Sequence, residues 1–285
     1  MEATDGKTRK RSDRTPDFNA RLEKINILVM VFEGLVKIFT NQTSISNAVC
    51  VKFTPDGISI FAQTQVSPIV GLCHLGLYFF SDFQCQTEHV SWIPVYRLQS
   101  TIASLKAMMK ASVPSVLISS TANEPLTIIG TSTTNKFKLF MATVHNDEPL
   151  LEIDTVYNWE VSVVSQTFFQ SLNFLSTDKG ASEINEVKLT IGSSSITFQG
   201  FDACGQQRDE CQLTDFKNNY SDTYSGRFQR KLLNVVSTCK SLSKLVHVYF
   251  NLGAEDPLRF TWLLESSANT SHLTYYIMSM VSEEY

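Results

Sequence analysis

Apolar side chains follow a helical period in one segment of the chain and a strand-like pattern in the next. Residues 26–39, NILVMVFEGLVKIF, have apolar positions at helical spacing and predict a helix. The runs AVCVKF (48–53) and ISIFAQ (58–63) follow, on either side of the turn sequence TPDG (54–57). Two such runs around a Pro-Asp-Gly turn predict a β-hairpin. We call this helix and hairpin, with the strand before the helix, an A unit.

The A unit occurs a second time, later in the chain. SQTFFQSLNFLS (165–176) predicts a helix, and EVKLTI and ITFQG around GSSS (192–195) predict the hairpin that follows it.

A different pattern, which we call a B unit, follows each A unit. YRLQSTIASLKAMMK (96–110) predicts a helix, and the strand runs SVLISS and NEPLTIIG come after it. RFQRKLLNVVSTCKSLSK (227–244) also predicts a helix, followed by LVHVYF and EDPLRFTWLL. In both B units an acidic residue and a proline precede the last run, where proline is tolerated because the strand has only begun.

The order A, B, A, B indicates an internal duplication. We therefore predict an α+β fold with two similar domains, each made of two β-α-β-β-β units. The N-terminal domain covers residues 18–141 and the C-terminal domain covers residues 159–285. Between them, residues 142–158 are acidic, contain Pro149 and fit neither a helix nor a strand, which is typical of an interdomain connector.

The first 17 residues differ in kind from the rest. They have no large aliphatic or aromatic side chain after Met1, so they cannot bury enough apolar surface to fold, and we predict a disordered tail. Within the tail, KTRKR (7–11) is either a nuclear-import signal or a solvated run of charge.

Composition narrows the classes of function. The net charge of −4 argues against a generally basic nucleic-acid-binding surface but leaves room for a local basic patch. The six cysteines show neither C-x-x-C nor zinc-finger spacing, and we expect reduced, mostly buried thiols in an intracellular protein. The most apolar run, INILVMVFEGLVKIF, is too short to span a bilayer, so no membrane partner is expected.

Sequence signatures of catalysis are missing from the chain. It has no G-x-x-x-x-G-K-[ST], G-x-G-x-x-G, H-E-x-x-H or G-x-S-x-G motif, and its five histidines are scattered. Nothing in these residues points to a catalytic residue, a metal site or a cofactor. They do not exclude an enzyme, but the function we expect is not that of an enzyme.

Both ends of the chain resemble the proliferating cell nuclear antigen (PCNA) family of DNA sliding clamps. FNARLEKINILVMVFEGLVKI (18–38) shares F-x-A-R-L, I-L and V-x-E-x-L with the family's opening strand and helix. SHLTYYIM (271–278) resembles its closing strand, GAEDPLRFTW the hairpin before it, and RFQRKLLNVVS the last helix. The resemblance covers nearly all of residues 18–285 in order, and the chain is identified as a divergent member, cellular or viral.

The resemblance implies an architecture and a function. In the clamp fold two similar domains form each chain, and three chains close into a ring around duplex DNA. The expected function is that of a processivity factor, which tethers a DNA polymerase by topology and docks replication and repair proteins on its outer face. The implied partners are duplex DNA of any sequence, a DNA polymerase, other proteins with a short clamp-binding motif and a clamp loader. The implied state is a homotrimer, and the implied location is the nucleus or a viral replication compartment of the host cell.

The resemblance also implies which side chains face the DNA. These are basic residues of the second and fourth helices and their surroundings: Lys106, Lys110, Lys231, Lys240, Arg230 and Lys244. Family members carry lysines where this chain has Val29, Met30 and Val36 in the first helix, and Gln170 and Asn173 of the third helix stand at positions that are often basic in the family. We therefore expect weak attraction to DNA and a shallow dependence on salt.

The partner-binding pocket implied by the resemblance combines a loop, the connector and the last strand. Its expected residues are Val66, Pro68, Ile69, Val70, Leu150, Leu151, Ile153, Tyr157, Pro257, Tyr276 and Ile277. Neighbouring side chains of a strand point to opposite faces, so Tyr275 and Tyr276 cannot both enter one core. The resemblance favours Tyr276 for the pocket. In the alternative, one core holds both rings, and Tyr276→Ala would then unfold the protein.

The resemblance also implies how the ring closes. By analogy with the family, the strand at residues 126–130 would pair with the edge at residues 211–214 of the next chain.

Three functions compete with that of a homotrimeric sliding clamp. A subunit of a heterotrimeric checkpoint clamp would not close a ring alone. A herpesvirus-type processivity factor without a ring would need strongly basic helices, which this chain lacks. A DNA-processing enzyme or a scaffold unrelated to DNA belongs to another class.

Overall fold

Four copies of one arrangement, a strand, a helix and three strands, follow one another along the chain. The structure is a computed structural model that describes residues 17–39, 47–64, 68–120, 125–144, 150–151, 153–175, 183–214, 221–252, 256–264 and 271–280. The predicted tail, apart from Asp17, and the predicted pocket residue Val66 lie outside these residues.

The elements of the N-terminal half form the first A unit and the first B unit. The A unit contains β1 (Phe18–Leu22), α1 (Ile25–Lys37), β2 (Ala48–Thr54), β3 (Gly57–Gln63) and β4 (Ile69–Gly76). A 3-10 turn (Leu77–Phe79) and the short strand β5 (Asp82–Cys85) follow. The B unit contains β6 (His89–Pro94), α2 (Val95–Lys110), β7 (Val116–Ser120), β8 (Leu126–Thr131) and β9 (Lys136–Met141).

The C-terminal half repeats this order. Its A unit contains β10 (Trp159–Val164), α3 (Ser165–Phe174), β11 (Glu186–Ile191), β12 (Ile196–Phe201) and β13 (Gln207–Leu213). Its B unit contains β14 (Tyr224–Gln229), α4 (Arg230–Ser237), β15 (Leu245–Phe250), β16 (Leu258–Leu263) and β17 (His272–Ile277). The predicted α+β fold of four β-α-β-β-β units is therefore confirmed, with β5 as an addition.

The fourth helix is much shorter than the predicted range of 227–244. Its first three residues, 227–229, belong to β14, in which Tyr224, Gly226 and Phe228 are buried and the residues between them are exposed. This alternation is the signature of a strand with one face on the core. After Ser237 the residues are mainly Ser, Thr and Lys in turns, and the Thr238 hydroxyl donates to the Val235 carbonyl over 2.7 Å.

The A and B units of each half exchange their first strands. The sheets run β5-β1-β7-β8-β9, β10-β15-β16-β17-β4-β3-β2-β6 and β13-β12-β11-β14. Each set of three consecutive strands is thus extended by the first strand of the neighbouring unit. The eight-stranded sheet consists of two such sets, joined where β17 of the C-terminal half pairs with β4 of the N-terminal half.

A buried tyrosine marks the joint between the two halves. Tyr275 is fully buried and lies opposite Gly71 in the pairing of β17 with β4. A Cβ atom on Gly71 would lie 2.6 Å from side-chain atoms of Leu35 and Ile38 and 3.3 Å from the Tyr275 ring. A Cβ on Gly34 of α1 would lie 2.7 Å from the Tyr275 hydroxyl. The missing side chains of both glycines therefore make room for this packing.

The connector contributes no helix or strand among its described residues. Its Val144 forms an isolated antiparallel bridge with Trp92 of β6. Within the described residues, no helix combines the length and the apolar character that crossing a membrane requires.

We expect Gly34→Ala to destabilise the protein by about 1–2 kcal/mol. Overpacking against the Cys239 sulfur, 2.5 Å from the added Cβ, outweighs the gain in helix propensity of about 1 kcal/mol. Chemical denaturation followed by circular dichroism measures the change. The control is Gly192→Ala, whose Cβ would meet only the Ser195 carbonyl at 3.6 Å. Equal stabilities of the two variants would contradict the packing described for the joint.

Candidate functional site

The outer face of the eight-stranded sheet carries a row of side chains that crosses five strands. Tyr249 of β15 is paired with Arg259 of β16, and Arg259 is paired with Tyr276 of β17. Tyr276 lies opposite Val70 of β4, which in turn lies opposite Gln63 of β3. All five are partly exposed, and we call them the docking row.

Arg259 is the centre of an aromatic cluster in this row. Its guanidinium carbon lies 4.5 Å from the ring centroid of Tyr249 and 5.9 Å from those of Tyr276 and Tyr157. These distances allow cation–π attraction. The Arg259 Nε also donates to the Thr261 hydroxyl over 3.1 Å. The cluster therefore holds a positive charge on a largely aromatic surface.

The connector is fastened to the sheet near the docking row. The Leu151 amide donates to Gln63 Oε1 over 2.8 Å, and the Tyr157 hydroxyl donates to the Pro257 carbonyl over 2.9 Å. Leu151 nevertheless remains 58% exposed. The docking row thus has an exposed apolar side chain at its Gln63 end and an aromatic cluster at its other end, a combination typical of a protein-binding surface.

Burial raises the pKa of two tyrosines near Arg259. It raises the pKa of Tyr157 and of Tyr249 above the ordinary phenol value, with Arg259 acting in the opposite direction. Both hydroxyls therefore keep their protons at neutral pH and remain hydrogen-bond donors.

The two adjacent tyrosines of β17 have different environments, as predicted. Tyr275 is fully buried, whereas Tyr276 lies on the outer face and is half-buried. The alternative in which one core holds both rings does not apply. Val70 and Pro68 lie on the same outer side as Tyr276, since they alternate with Ile69 along the chain.

The predicted pocket contains two residues that the structure places elsewhere. Ile69 and Ile277 are opposite each other, and they are 1% and 0% exposed on the core face of the sheet. Their assignment to the pocket is wrong, because each is the strand neighbour of an outward-facing residue. Pro257 is buried, and its carbonyl accepts the hydrogen bond from Tyr157. Leu150 and Ile153 are half-buried in the connector.

Sequence reasoning missed Arg259, Tyr249 and Gln63. The alternation in LRFTW (258–262) does place Arg259 on the face opposite to Leu258 and Phe260. Its two tyrosine neighbours depend on the register between strands, which no local pattern gives.

A groove between the first two helices contains an internal ion pair. On α1, Met30, Glu33 and Val36 line an open groove of about 590 Å³ with Gln99 and Ile102 of α2, together with Lys37 and Thr238. Lys106 of α2, the first of the predicted DNA-facing lysines, forms an ion pair with Glu33. Its charge is therefore partly neutralised within the protein.

The other predicted DNA-facing residues differ in exposure. Lys110, Lys231 and Lys244 are exposed, and Lys240 is half-buried. Arg230 is half-buried and donates to the Leu175 carbonyl at the end of α3 over 2.6 Å, and burial lowers its pKa. Arg230 is therefore engaged inside the protein, and a DNA-facing role for the four lysines other than Lys106 stays a prediction.

The third strands of the four units differ in their pairing. Two of these strands, β4 and β17, pair with each other, whereas β9 and β13 end their sheets without a further strand among the described residues. The prediction that residues 126–130 form the edge is wrong, because β8 lies between β7 and β9. The predicted partner edge at residues 211–214 coincides with the end of β13.

Among the six strands that end the three sheets of the described residues, β9 and β13 carry opposite charges. The exposed positions of β9 include Lys136 and Lys138, whereas β13 contains Asp209 and Glu210. The turn into β13 is fixed by the buried Asp202, whose carboxylate accepts from the Gln206 amide and pairs with Arg208. The hydrogen bond from the Gln206 amide lowers the pKa of Asp202, and so does Arg208.

No metal site is found among the described His, Cys, Asp and Glu residues. All six cysteines are free thiols, as expected. Cys50, Cys73 and Cys239 are buried, Cys85 and Cys211 are half-buried, and Cys204 is exposed in the turn before β13. Three of the six thiols are therefore buried, fewer than the sequence led us to expect.

The arrangement of strands and helices is that of a DNA clamp. PCNA from Entamoeba histolytica aligns with a TM-score of 0.76 at 14% sequence identity, over 93% of this chain and 100% of that one. The PCNA2–PCNA3 complex from Sulfolobus tokodaii gives a TM-score of 0.72 at 12% identity, over 92% of this chain and 98% of that one. No protein-family profile matches the sequence, and no curated protein matches it. The likeness confirms the predicted clamp fold.

We expect Tyr275→Ala and Tyr276→Ala to differ strongly in stability. Loss of the buried ring of Tyr275 costs about 3–5 kcal/mol, the range for a large aromatic side chain in a core. Loss of the half-buried ring of Tyr276 costs less and leaves the fold intact. Urea denaturation measures both values. Unfolding of Tyr276→Ala under native conditions would contradict the separation of core and docking face.

Proposed function

We propose that this chain is a DNA sliding clamp and a DNA polymerase processivity factor. In this role it is a scaffold rather than an enzyme, and a ring of three identical chains encircles duplex DNA without reading its sequence. The observation that carries the proposal is the pair of open, oppositely charged edges, β9 and β13. They are the structural equivalents of β17 and β4, which pair inside the chain.

The internal duplication predicts how the two edges meet. Met141 of β9 lies opposite Leu126, as Ile277 of β17 lies opposite Leu258. Lys138 thus takes the place of Thr274. By the same reasoning, Leu213 lies opposite Ile196 as Leu75 lies opposite Ile58, and Glu210 takes the place of Leu72.

The equivalent pair inside the chain gives the contact between chains. Thr274 and Leu72 face each other across the joint of β17 and β4. Lys138 of one copy therefore faces Glu210 of the next. Opposite charges at directly paired positions stabilise antiparallel strands. A head-to-tail contact of this kind closes a ring when its rotation permits.

Self-complementary charge favours a homotrimer over a heteromeric clamp. Both members of the Lys138–Glu210 pair belong to the same sequence, so one kind of chain suffices for closure. The Sulfolobus structure is described as a complex of PCNA2 and PCNA3, which makes a heteromeric assembly the alternative to test. A non-ring processivity factor that holds DNA by charge is disfavoured by the ion pair of Lys106 with Glu33 and by the neutral side chains Gln170 and Asn173 on α3.

Light scattering of the purified chain over a range of concentrations tests the ring. The wild type is expected to have the mass of three chains. Lys138→Glu and Glu210→Lys each place like charges opposite one another. Each is expected to weaken the association at every contact by roughly 1 kcal/mol, which raises its dissociation constant about fivefold. The double variant restores opposite charges and the trimer.

The control for these variants is Lys231→Glu, which reverses an exposed lysine on α4, a helix that packs mainly against β14 and α1 rather than against β9 or β13. It should leave the mass of the trimer unchanged. A monomeric or dimeric wild type at every concentration would overturn self-closure and favour the heteromeric clamp. A double variant no better than either single variant would overturn the Lys138–Glu210 register.

The remaining parts of the proposal follow from the clamp role. The docking row with the connector would bind a DNA polymerase and other proteins that carry a short clamp-binding motif, and a clamp loader would open the ring. We propose that the protein acts in replication and repair, in the nucleus or in a viral replication compartment. The helices would line the hole, where Lys106 is held by Glu33.

Glu33→Gln should strengthen the binding of duplex DNA. It releases Lys106, and each lysine that gains a phosphate contact steepens the salt dependence of log K by about 0.9. Fluorescence anisotropy of a labelled duplex over a salt titration measures the slope. Glu88→Gln is the matched control, because it releases Lys52 from a 2.8 Å ion pair on the sheet. An unchanged slope for Glu33→Gln would show that Lys106 does not reach the phosphates.

A further inference from the structure

We infer that Arg259 selects partners whose docking segment carries a carboxylate beside its apolar anchors. The inference rests on the proposed docking function and adds the chemistry of the partner. It starts from a side chain that the apolar pocket predicted by resemblance did not include. Arg259 occupies the middle of the docking row, between Tyr249 and Tyr276 on the neighbouring strands.

The guanidinium of Arg259 is held in place but only partly satisfied. Its Nε–H group donates to Thr261, and three tyrosine rings lie within cation–π range. Within the described part of the chain, no carboxylate forms an ion pair with it and no oxygen accepts from its other four N–H groups. The remaining N–H donors of this fixed, half-buried guanidinium are therefore available to a ligand.

The carboxylates closest along the sheet are bound to other groups. Glu160, which lies opposite Tyr249, accepts from His247 over 2.8 Å. Asp256 accepts from the Asn251 side chain over 2.9 Å. Neither neutralises Arg259, so the charge of Arg259 is left for an incoming group.

A carboxylate is the group that matches the planar fork of guanidinium donors. Arginine binds carboxylates through two parallel N–H···O hydrogen bonds, and such charge-assisted bonds are stronger than neutral ones. The rings around Arg259 restrict its rotamers and reduce the water around it, which strengthens the pair. The apolar anchors of the same segment would contact Tyr276, Val70 and the exposed Leu151. An acidic residue next to those anchors would then reach Arg259.

Paired synthetic peptides provide the test. Each peptide carries one aliphatic and two aromatic anchors on a helical turn, and each non-anchor position in turn is Glu in one peptide and Gln in its twin. Fluorescence anisotropy gives their Kd values for the wild type, Arg259→Met, Arg259→Lys and Tyr276→Ala. At one or more positions the Glu peptide should bind the wild type about three- to tenfold more tightly than its twin.

The variants assign that preference to Arg259. Arg259→Met should bind both twins equally, and Arg259→Lys should keep part of the preference because lysine has charge without the planar fork. Arg227→Met is the matched control: Arg227 also lies over an aromatic ring, 4.7 Å from Phe201, but on β14. It should keep the full preference. If Arg259→Met does not fold, the comparison of wild type with Arg259→Lys decides.

The possible failures are distinguishable. Tyr276→Ala should bind neither twin. If no peptide binds the wild type, both the docking function and the role of Arg259 are overturned. If twins bind equally at every position, or the preference for Glu survives in Arg259→Met, only the role of Arg259 is overturned.

Discussion

The joint between the halves depends on one ring that occupies space left by two glycines. Tyr275 of β17 packs against Gly71 of β4 and, through its hydroxyl, close to Gly34 of α1. The ring of Trp262 meets it edge-on, with centroids 6.1 Å apart. Protein interiors are packed densely enough that such a fit permits one arrangement rather than a range. The orientation of α1 against the sheet, and the continuity of eight strands, follow from it.

The same strand that closes the core also builds the outer face. Because side chains of a strand alternate, burying Tyr275 places Tyr276 beside Arg259 and Val70 without any further adjustment. Next to the docking row on the same face, the buried hydroxyls of Thr261 and Thr274 lie 3.0 Å apart and form a hydrogen bond across β16 and β17. The docking row is thus attached to the rigid joint, which limits the conformational freedom that a partner would have to remove on binding.

Local patterns predicted most of the fold, and the errors had two sources: strand alternation that was not applied to the pocket residues, and pairings between distant strands. Hairpins and helices have periods of their own, so the four units were visible in the sequence. Ile69 and Ile277 were assigned to the pocket because they adjoin Val70 and Tyr276, although alternation sends them to the core. The cluster around Arg259 depends on pairings between distant strands, as does the placement of β9 at the edge of its sheet.

The distribution of charge is consistent with a ring that holds DNA by enclosure. A protein that binds phosphates by attraction alone needs many free cations, since each contributes separately to affinity. Here Lys106 is paired with Glu33, Arg230 is bound to a carbonyl, and the exposed side chains Gln170 and Asn173 of α3 are neutral. Opposite charges instead lie on the edge strands β9 and β13. In the proposed clamp, electrostatic attraction acts mainly between chains, and DNA meets a surface weak enough to slide along.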